Sequence, residues 1–222
     1  MSARRVVAVI QARLGSSRFP RKSVTPFRGR PLIEHVICRV QQMSGVDEVI
    51  VTVPTSDADL IRVVTKLNDT QDESLPTTRL VYGPEKDVLW RYWLAGTAYQ
   101  ANVVIRITGD CPLWSPRAGE AVLQAFLADP QERQYWSNDT TRSGWPDGTD
   151  VEVFSMDLLS RARHARVSLT DEDREHVTTW MKRTLYPDLG IVRRKVDHLS
   201  SLKLSVDTRS DLLALETLDV DI

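Results

Sequence analysis

Cysteine is scarce in this chain: Cys38 and Cys111 are the only two among 222 residues. One distant pair supplies neither metal-ligand spacing nor a disulfide framework, and the scarcity fits a reducing cytoplasm. Long apolar runs are missing too. No stretch approaches the ~20 residues that a membrane span requires, and the N-terminus lacks the apolar segment of a secretory signal, so a cytoplasmic location is expected. A strong charge of either sign is also absent, the formal net charge being −1. That removes the global electrostatic footprint of a nucleic-acid or membrane binder. There is no internal repeat and no low-complexity tract. What remains, 41% hydrophobic and 27% charged, is an ordinary globular composition in a chain long enough to bury a full core without staples.

One further absence is local. No acidic residue occurs before Glu34, although Arg4, Arg5, Arg13, Arg18, Arg21, Lys22, Arg28 and Arg30 all precede it. Such a block is either a solvated basic face or a folded anion site. It surrounds an apolar, β-branched run at residues 6–10, which reads as a strand buried on both faces, so the anion site is favoured.

Beyond that strand the chain alternates. Pro31 opens a helical pattern with Leu32, Val36, Ile37 and Val40 on one face. Residues 49–53 read as a second strand, followed by a helix that Asp57 can cap and that carries Leu60, Ile61, Val64 and Leu67. Strands at 79–82 and 103–107 enclose a helix at 87–99, and Pro116 opens another through Phe126. This alternation implies a parallel sheet with right-handed crossovers. After about residue 130 the pattern changes: a polar stretch at 136–145, a strand at 151–154, one helix at 171–185, strands at 191–196 and 202–206, and a last helix at 208–218. Residues 69–78 read as a surface loop. The expectation is one three-layer α/β domain over residues 1–222, mostly parallel, with an insertion or small subdomain at about 135–190.

In open parallel sheets ligands bind beyond the carboxyl ends of the strands. The loop leaving the first strand holds Arg13, Gly15, Ser16, Arg18 and Lys22. Glycine admits close backbone approach, arginine grips phosphate oxygens in forked fashion, and lysine adds a compact charge. A nucleoside triphosphate carries about four negative charges and suits several cations. Two carboxylates sit at other strand ends: Asp110 after Arg106-Ile-Thr-Gly, and Asp207 after Ser205-Val. Hard carboxylates of this kind suit Mg²⁺, which takes one or two of them together with substrate phosphates. The plain alternatives are a turn residue for Asp110 and a helix-cap position for Asp207, where Thr208 and Asp211 have capping-box spacing. His176 stands in Arg174-Glu-His-Val at the head of a helix, where a surface histidine is equally ordinary. Trp136 and Trp145 bracket the polar stretch and are candidate walls of an acceptor pocket.

These segments resemble a known family. Ala12-Arg-Leu-Gly-Ser-Ser-Arg-Phe-Pro-Arg-Lys22 looks like the nucleotide loop of the cytidylyltransferases that make CMP-linked acidic sugars, and is most similar to their spore-coat polysaccharide branch. Pro31-Leu-Ile-Glu-His-Val, Asp87-Val-Leu-Trp-Arg-Tyr, Arg106-Ile-Thr-Gly-Asp-Cys-Pro-Leu, Asp147-Gly-Thr-Asp-Val-Glu-Val-Phe, Arg174-Glu-His-Val-Thr and Val206-Asp-Thr continue the match in order. The resemblance implies a Rossmann-like, GT-A-like nucleotidyltransferase fold, CTP as donor and Mg²⁺ as cofactor. It implies that Ala12, Arg13, Gly15, Ser16, Arg18, Lys22, Arg91 and Thr108 meet the nucleotide and that Asp110 and Asp207 hold metal. Arg13, Lys22, Asp110 and Asp207 then form the catalytic set, and Asp150, Glu152, Arg174 and His176 face the acceptor. Relatives commonly dimerise through the later subdomain. Many members of the spore-coat branch have glycine where this chain has Arg21. The acceptor stays open between an acidic sugar and, given Arg142, Arg174 and Arg193, a phosphonic acid. A glycosyltransferase or a catalytically silent nucleotide binder on a similar fold is also compatible with the residues alone.

Overall fold

The computed structural model describes residues 4–70, 77–141, 143–166 and 168–220. Arg142 and residues 71–76 of the expected surface loop lie outside them.

The chain opens with β1 (Val6–Gln11), a 3-10 turn (Lys22–Val24) and a short hairpin of β2 (Pro26–Phe27) and β3 (Arg30–Pro31). There follow α1 (Leu32–Gln41), β4 (Glu48–Pro54), α2 (Ala58–Thr70), β5 (Thr78–Gly83), α3 (Val88–Ala98), β6 (Val103–Thr108) and α4 (Pro116–Ala128). The later part contains β7 (Tyr135–Ser137), β8 (Glu152–Ser155), α5 (Met156–Arg163), α6 (Asp171–His176), α7 (Thr179–Leu185), β9 (Gly190–Ile191) and α8 (Arg209–Glu216).

One seven-stranded sheet runs β5-β4-β1-β6-β8-β7-β9. β5, β4, β1 and β6 are parallel, and β8 runs against both β6 and β7. The strand sequence reverses direction beside β1: the chain moves outward to β4 and β5, then returns to place β6 on the other side. The crevice at such a switch point, outside the carboxyl ends of β1 and β6, is where open α/β sheets bind ligands. Gln11 and Thr108 are paired at that edge.

Period-two alternation builds the layers. Val6, Ala8 and Ile10 of β1 face one core with Leu32, Ile33, Val36, Ile37 and Val40 of α1, Leu60 of α2 and Leu212 of α8. Val7 and Val9 face the other core, with Leu89 and Tyr92 of α3 and Leu158 of α5. The five α1 side chains are wholly buried, each contributing roughly 1.5–3 kcal/mol.

Several expectations are corrected. Residues 171–185 form two helices, because Val177 turns with φ 60 between them. Residues 202–206 are extended but join no ladder; Leu204 and Val206 are buried against the sheet, and their N–H groups donate to the carbonyls of Asp147 and Asp110 at 2.8 and 2.9 Å. Of residues 191–196 only Ile191 enters the sheet, while the supposed polar stretch begins inside β7. Helix α5 was not expected. The Asp57 carboxylate does not cap α2: its Oδ2 accepts from the N–H of Leu14 at 2.7 Å.

Candidate active site

Beyond the ends of β1 and β6 lies a cavity of about 370 Å³, walled by the loop after β1, by Thr108, Gly109 and Asp110, by Glu175 and His176 of α6, and by Asp207 before α8. The two strand ends meet tightly. A Cβ on Gly109 would stand 2.7 Å from the Gln11 carbonyl oxygen and 2.9 Å from Ile33 Cδ1, so only glycine carries the chain from β6 into Asp110.

The basic loop is held from below by buried partners. Besides the bond from Leu14 to Asp57, the Arg21 N–H donates to the Leu14 carbonyl at 2.9 Å, and Ser23 Oγ donates to the Arg13 carbonyl at 3.1 Å. Arg21 adopts a left-handed conformation, φ 62 and ψ 18, which glycine takes at no steric cost; that explains the glycine of related loops. Arg91, 1% exposed, donates from Nη1 to the carbonyls of Thr52 at 3.0 Å and Ala12 at 3.4 Å. Burial pulls its pKa below the ordinary arginine value, and its Nε has no partner in the structure. Arg91 lines the cavity, yet its visible work is on the backbone beneath the loop.

Cations of the loop reach across the cavity to carboxylates far away in sequence. Lys22 Nζ lies 2.8 Å from Asp110 Oδ2 and donates to the Val206 carbonyl at 2.7 Å. Arg18 Nη2 meets Asp207 Oδ1 at 2.8 Å, and Arg13 Nη2 meets Glu175 Oε1 at 2.7 Å. Lys203 pairs with the second Asp207 oxygen at 3.1 Å. Burial alone would raise the Asp110 carboxyl; the charge and hydrogen bond of Lys22 outweigh it and hold Asp110 below its ordinary value. Burial pushes the neighbouring Cys111 thiol well up, so it stays protonated and is no nucleophile.

Among the described residues no cluster of three or more His, Cys, Asp or Glu offers a closed protein cage for a metal. Asp110 and Asp207 on one rim instead fit a cation such as Mg²⁺, whose remaining ligands come from water and substrate phosphates. The cations now seated on both carboxylates mark where positive charge is favoured.

The sequence candidates separate into groups. Ala12, Arg13, Ser16, Arg18, Lys22, Arg91, Thr108, Asp110, His176 and Asp207 line this cavity. Gly15 does not: its bare α-carbon faces Glu85, whose Oε1 a Cβ would meet at 2.1 Å. Arg174 lies outside the cavity wall and pairs with the α3 cap residue Asp87 at 3.2 Å. Asp150 and Glu152 line a second cavity of about 290 Å³, and burial raises the Asp150 carboxyl. Arg106 lines both cavities. Trp136 and Trp145 line neither. Sequence reasoning gave no role in the site to Gln11, Asp57, Arg106 or Glu175. Of these, Arg106 and Glu175 stand inside quoted motifs and could have been noticed; Asp57 carried only a cap signal.

Comparison with known proteins now adds to the geometry. Residues 7–198 match the Cytidylyltransferase family. The spore coat polysaccharide biosynthesis protein SpsF of Bacillus subtilis (strain 168) is 26% identical over 220 residues, covering 96% of this chain and 85% of that protein. A 3-deoxy-manno-octulosonate cytidylyltransferase of Anaeromyxobacter sp. (strain K) is 36% identical over 123 residues, 55% of this chain and about half, 48%, of that protein. A solved cytidylyltransferase from Leptospira borgpetersenii superposes with a TM-score of 0.83 at 23% identity, over 96% of this chain and 85% of that one; it establishes the shared fold. No helix among the described residues is long and apolar enough to cross a membrane. With the family matched along most of its length and the basic loop facing two rim carboxylates, the chain belongs to the cytidylyltransferase family and is a CTP-dependent nucleotidyltransferase.

Proposed function

We propose that this cytidylyltransferase transfers CMP from CTP to a hydroxyl of an acidic sugar of the ulosonate or nonulosonate class and releases pyrophosphate, in the cytoplasm. The observation that carries the reading is the meeting of the 12–22 loop, Asp110 and Asp207 around one cavity. The relatives named above, one in spore coat polysaccharide biosynthesis and one acting on 3-deoxy-manno-octulosonate, support the acceptor class.

The reaction forms one bond between the acceptor oxygen and the α-phosphorus and breaks the bond from that phosphorus to the bridging oxygen. The hydroxyl proton passes to solvent water, and pyrophosphate leaves with the electron pair of the broken bond and carries the growing charge. Arg13, Arg18 and Lys22 hold the β- and γ-phosphates and stabilise that charge, in a site where preorganised donors act more strongly than in water. Binding both reactants at neighbouring cavities turns a bimolecular encounter into a positioned one. Asp110 and Asp207 would hold Mg²⁺, which when bound supplies Lewis-acid polarisation of the phosphate and acidifies a coordinated hydroxyl. His176 lines the same cavity and is assigned to the acceptor side.

The test is incubation with CTP, Mg²⁺ and a panel of sugar acids and phosphonic acids, following pyrophosphate and the mass of the CMP adduct. A CMP–sugar-acid product is expected. Turnover confined to phosphonic acids would overturn the acceptor class, and no pyrophosphate with any acid would overturn the reading altogether.

A further inference from the structure

Glu152 is 6% exposed and lines the smaller cavity, paired with Arg106, which lines both. Its Oε2 meets Arg106 Nη1 at 2.5 Å. Its Oε1 accepts from Tyr135 Oη at 2.6 Å and Thr178 Oγ1 at 2.8 Å, and meets Lys182 Nζ at 2.7 Å. Both carboxylate oxygens are therefore engaged, by four donors: one from β6, one from β7, one from α7 and one from the turn that precedes α7. Burial alone would raise this carboxyl; Arg106 and Lys182, with their hydrogen bonds, pull it down to about 2. A group so occupied is poorly suited to bind an acceptor itself.

What it holds is informative. Arg106 donates from Nε to Gln11 Oε1 at 3.2 Å, and both side chains line the nucleotide cavity. Thr178, 1% exposed, follows Val177, whose φ of 60 and ψ of −53 are those of a strained γ-turn. The closing bond of that turn runs from the Thr178 N–H to the His176 carbonyl at 2.5 Å. A β-branched residue avoids positive φ, and such conformations persist only where surrounding structure over-determines them. Here the Thr178 side chain is tied to Glu152 on one side, and Val177 is wholly buried on the other. The turn ends α6 and leaves Glu175 and His176 on the cavity wall.

We propose that Glu152 is a positioning residue of the transfer reaction: through Thr178 it locks the γ-turn that sets Glu175 and His176 at the nucleotide cavity, and through Arg106 it sets Gln11, which lines the same cavity. This rests on the reading that the cavity receives CTP.

The experiment measures CTP affinity in the presence of Mg²⁺ by calorimetry, together with the imidazole ring resonances of His176 by NMR, one histidine among four. Thr178→Val keeps the shape and removes the bond to Glu152 together with the longer one from the same hydroxyl to the His176 carbonyl at 3.3 Å. It is expected to shift the His176 resonance and weaken CTP binding about tenfold, while Thr178→Ser restores both. Glu152→Gln, which keeps an acceptor oxygen but loses the charge, is expected to do the same. Wild-type affinity and an unmoved His176 signal in Thr178→Val, or equal impairment in Thr178→Ser, would overturn the proposal. If both disruptive variants fail to fold, amide exchange in the wild type decides: CTP with Mg²⁺ should slow exchange at residues 176–178, and no change overturns it. Lys22→Ala separates the two layers of the argument. Lost CTP affinity there with none lost in Thr178→Val sinks only the positioning role; unchanged affinity in Lys22→Ala sinks the nucleotide site.

Discussion

Lys22 is the most enclosed of the ion-paired cations on the basic loop, its side chain 12% exposed, with Asp110 at 2.8 Å. Arg13 differs: its pair with Glu175 joins two side chains that are 37% and 44% exposed. Such an exposed pair contributes little to stability, about 0–1 kcal/mol, so Arg13→Ala should leave the thermal midpoint almost unmoved. On the proposed function it also removes a forked phosphate ligand, and charge-assisted hydrogen bonds are worth about 1.5–3 kcal/mol. CTP titrated calorimetrically into Arg13→Ala is expected to bind at least about tenfold more weakly; an unchanged affinity would return the loop to the solvated faces. Asp110→Asn keeps the shape and one acceptor oxygen while removing the charge, and is expected to abolish pyrophosphate release with an unaltered circular dichroism spectrum. Turnover at the wild-type rate would remove Asp110 from the catalytic set. Arg21→Gly tests the left-handed position. Relief of a conformation that costs an L-residue about 1–2 kcal/mol is offset by lost unfolded-state restriction and by an exposed pair with Asp59, so denaturant midpoint and CTP affinity should both stay near wild type.

At the scale of elements, local signals and distant partners part company. The start of α8 was legible: Thr208 Oγ1 accepts from the Asp211 N–H at 3.2 Å while Asp211 Oδ2 accepts from the Thr208 N–H at 2.8 Å, as the spacing of the two residues announces. That box positions the turn carrying Asp207. Thr208→Ala should cost about 1 kcal/mol, a fall of roughly 2–4 °C in Tm for a chain of this size, and it should weaken CTP–Mg²⁺ binding through Asp207; calorimetry reads both. The break between α6 and α7 was not legible. An unbroken helical pattern runs from Asp171 to Leu185, but the chain turns at Val177, and the next residue, Thr178, bonds a carboxylate 26 residues earlier. Asp57 was misread for the same reason. Its position suits a helix cap, but its side chain serves a backbone N–H 43 residues away.

At the scale of the molecule, the Glu152 cluster joins β6, β7, β8 and the segment around α7, and its acid response can be stated. The Glu152 carboxyl lies at about 2 in the folded protein, against an ordinary 4.5. Because the folded value is the lower one, its stabilising contribution is complete above pH 4.5 and is lost as pH falls toward about 2. Melting temperatures across that window should fall, and less steeply in Glu152→Gln, which has no proton to take up there. Equal slopes in the two proteins would show that other carboxylates govern acid unfolding.

The sequence by itself determined the parallel core, the strand ends that carry the candidate residues, and the residue types found there; the strand order that puts the switch point beside β1 came from the structure. Periodicity and strand-end position are local properties, and the 12–22 loop, Asp110 and Asp207 each follow a strand or extended apolar segment that alternation made visible. Tertiary structure alone decided how the later third joins the sheet, that Asp150 and Glu152 line a separate cavity, and that Glu152 is saturated by four donors. Short strands such as β7 and β9 carry too few residues to show a period, and the partner of a buried charge is chosen by the packing of elements distant in the chain, where no local pattern records it.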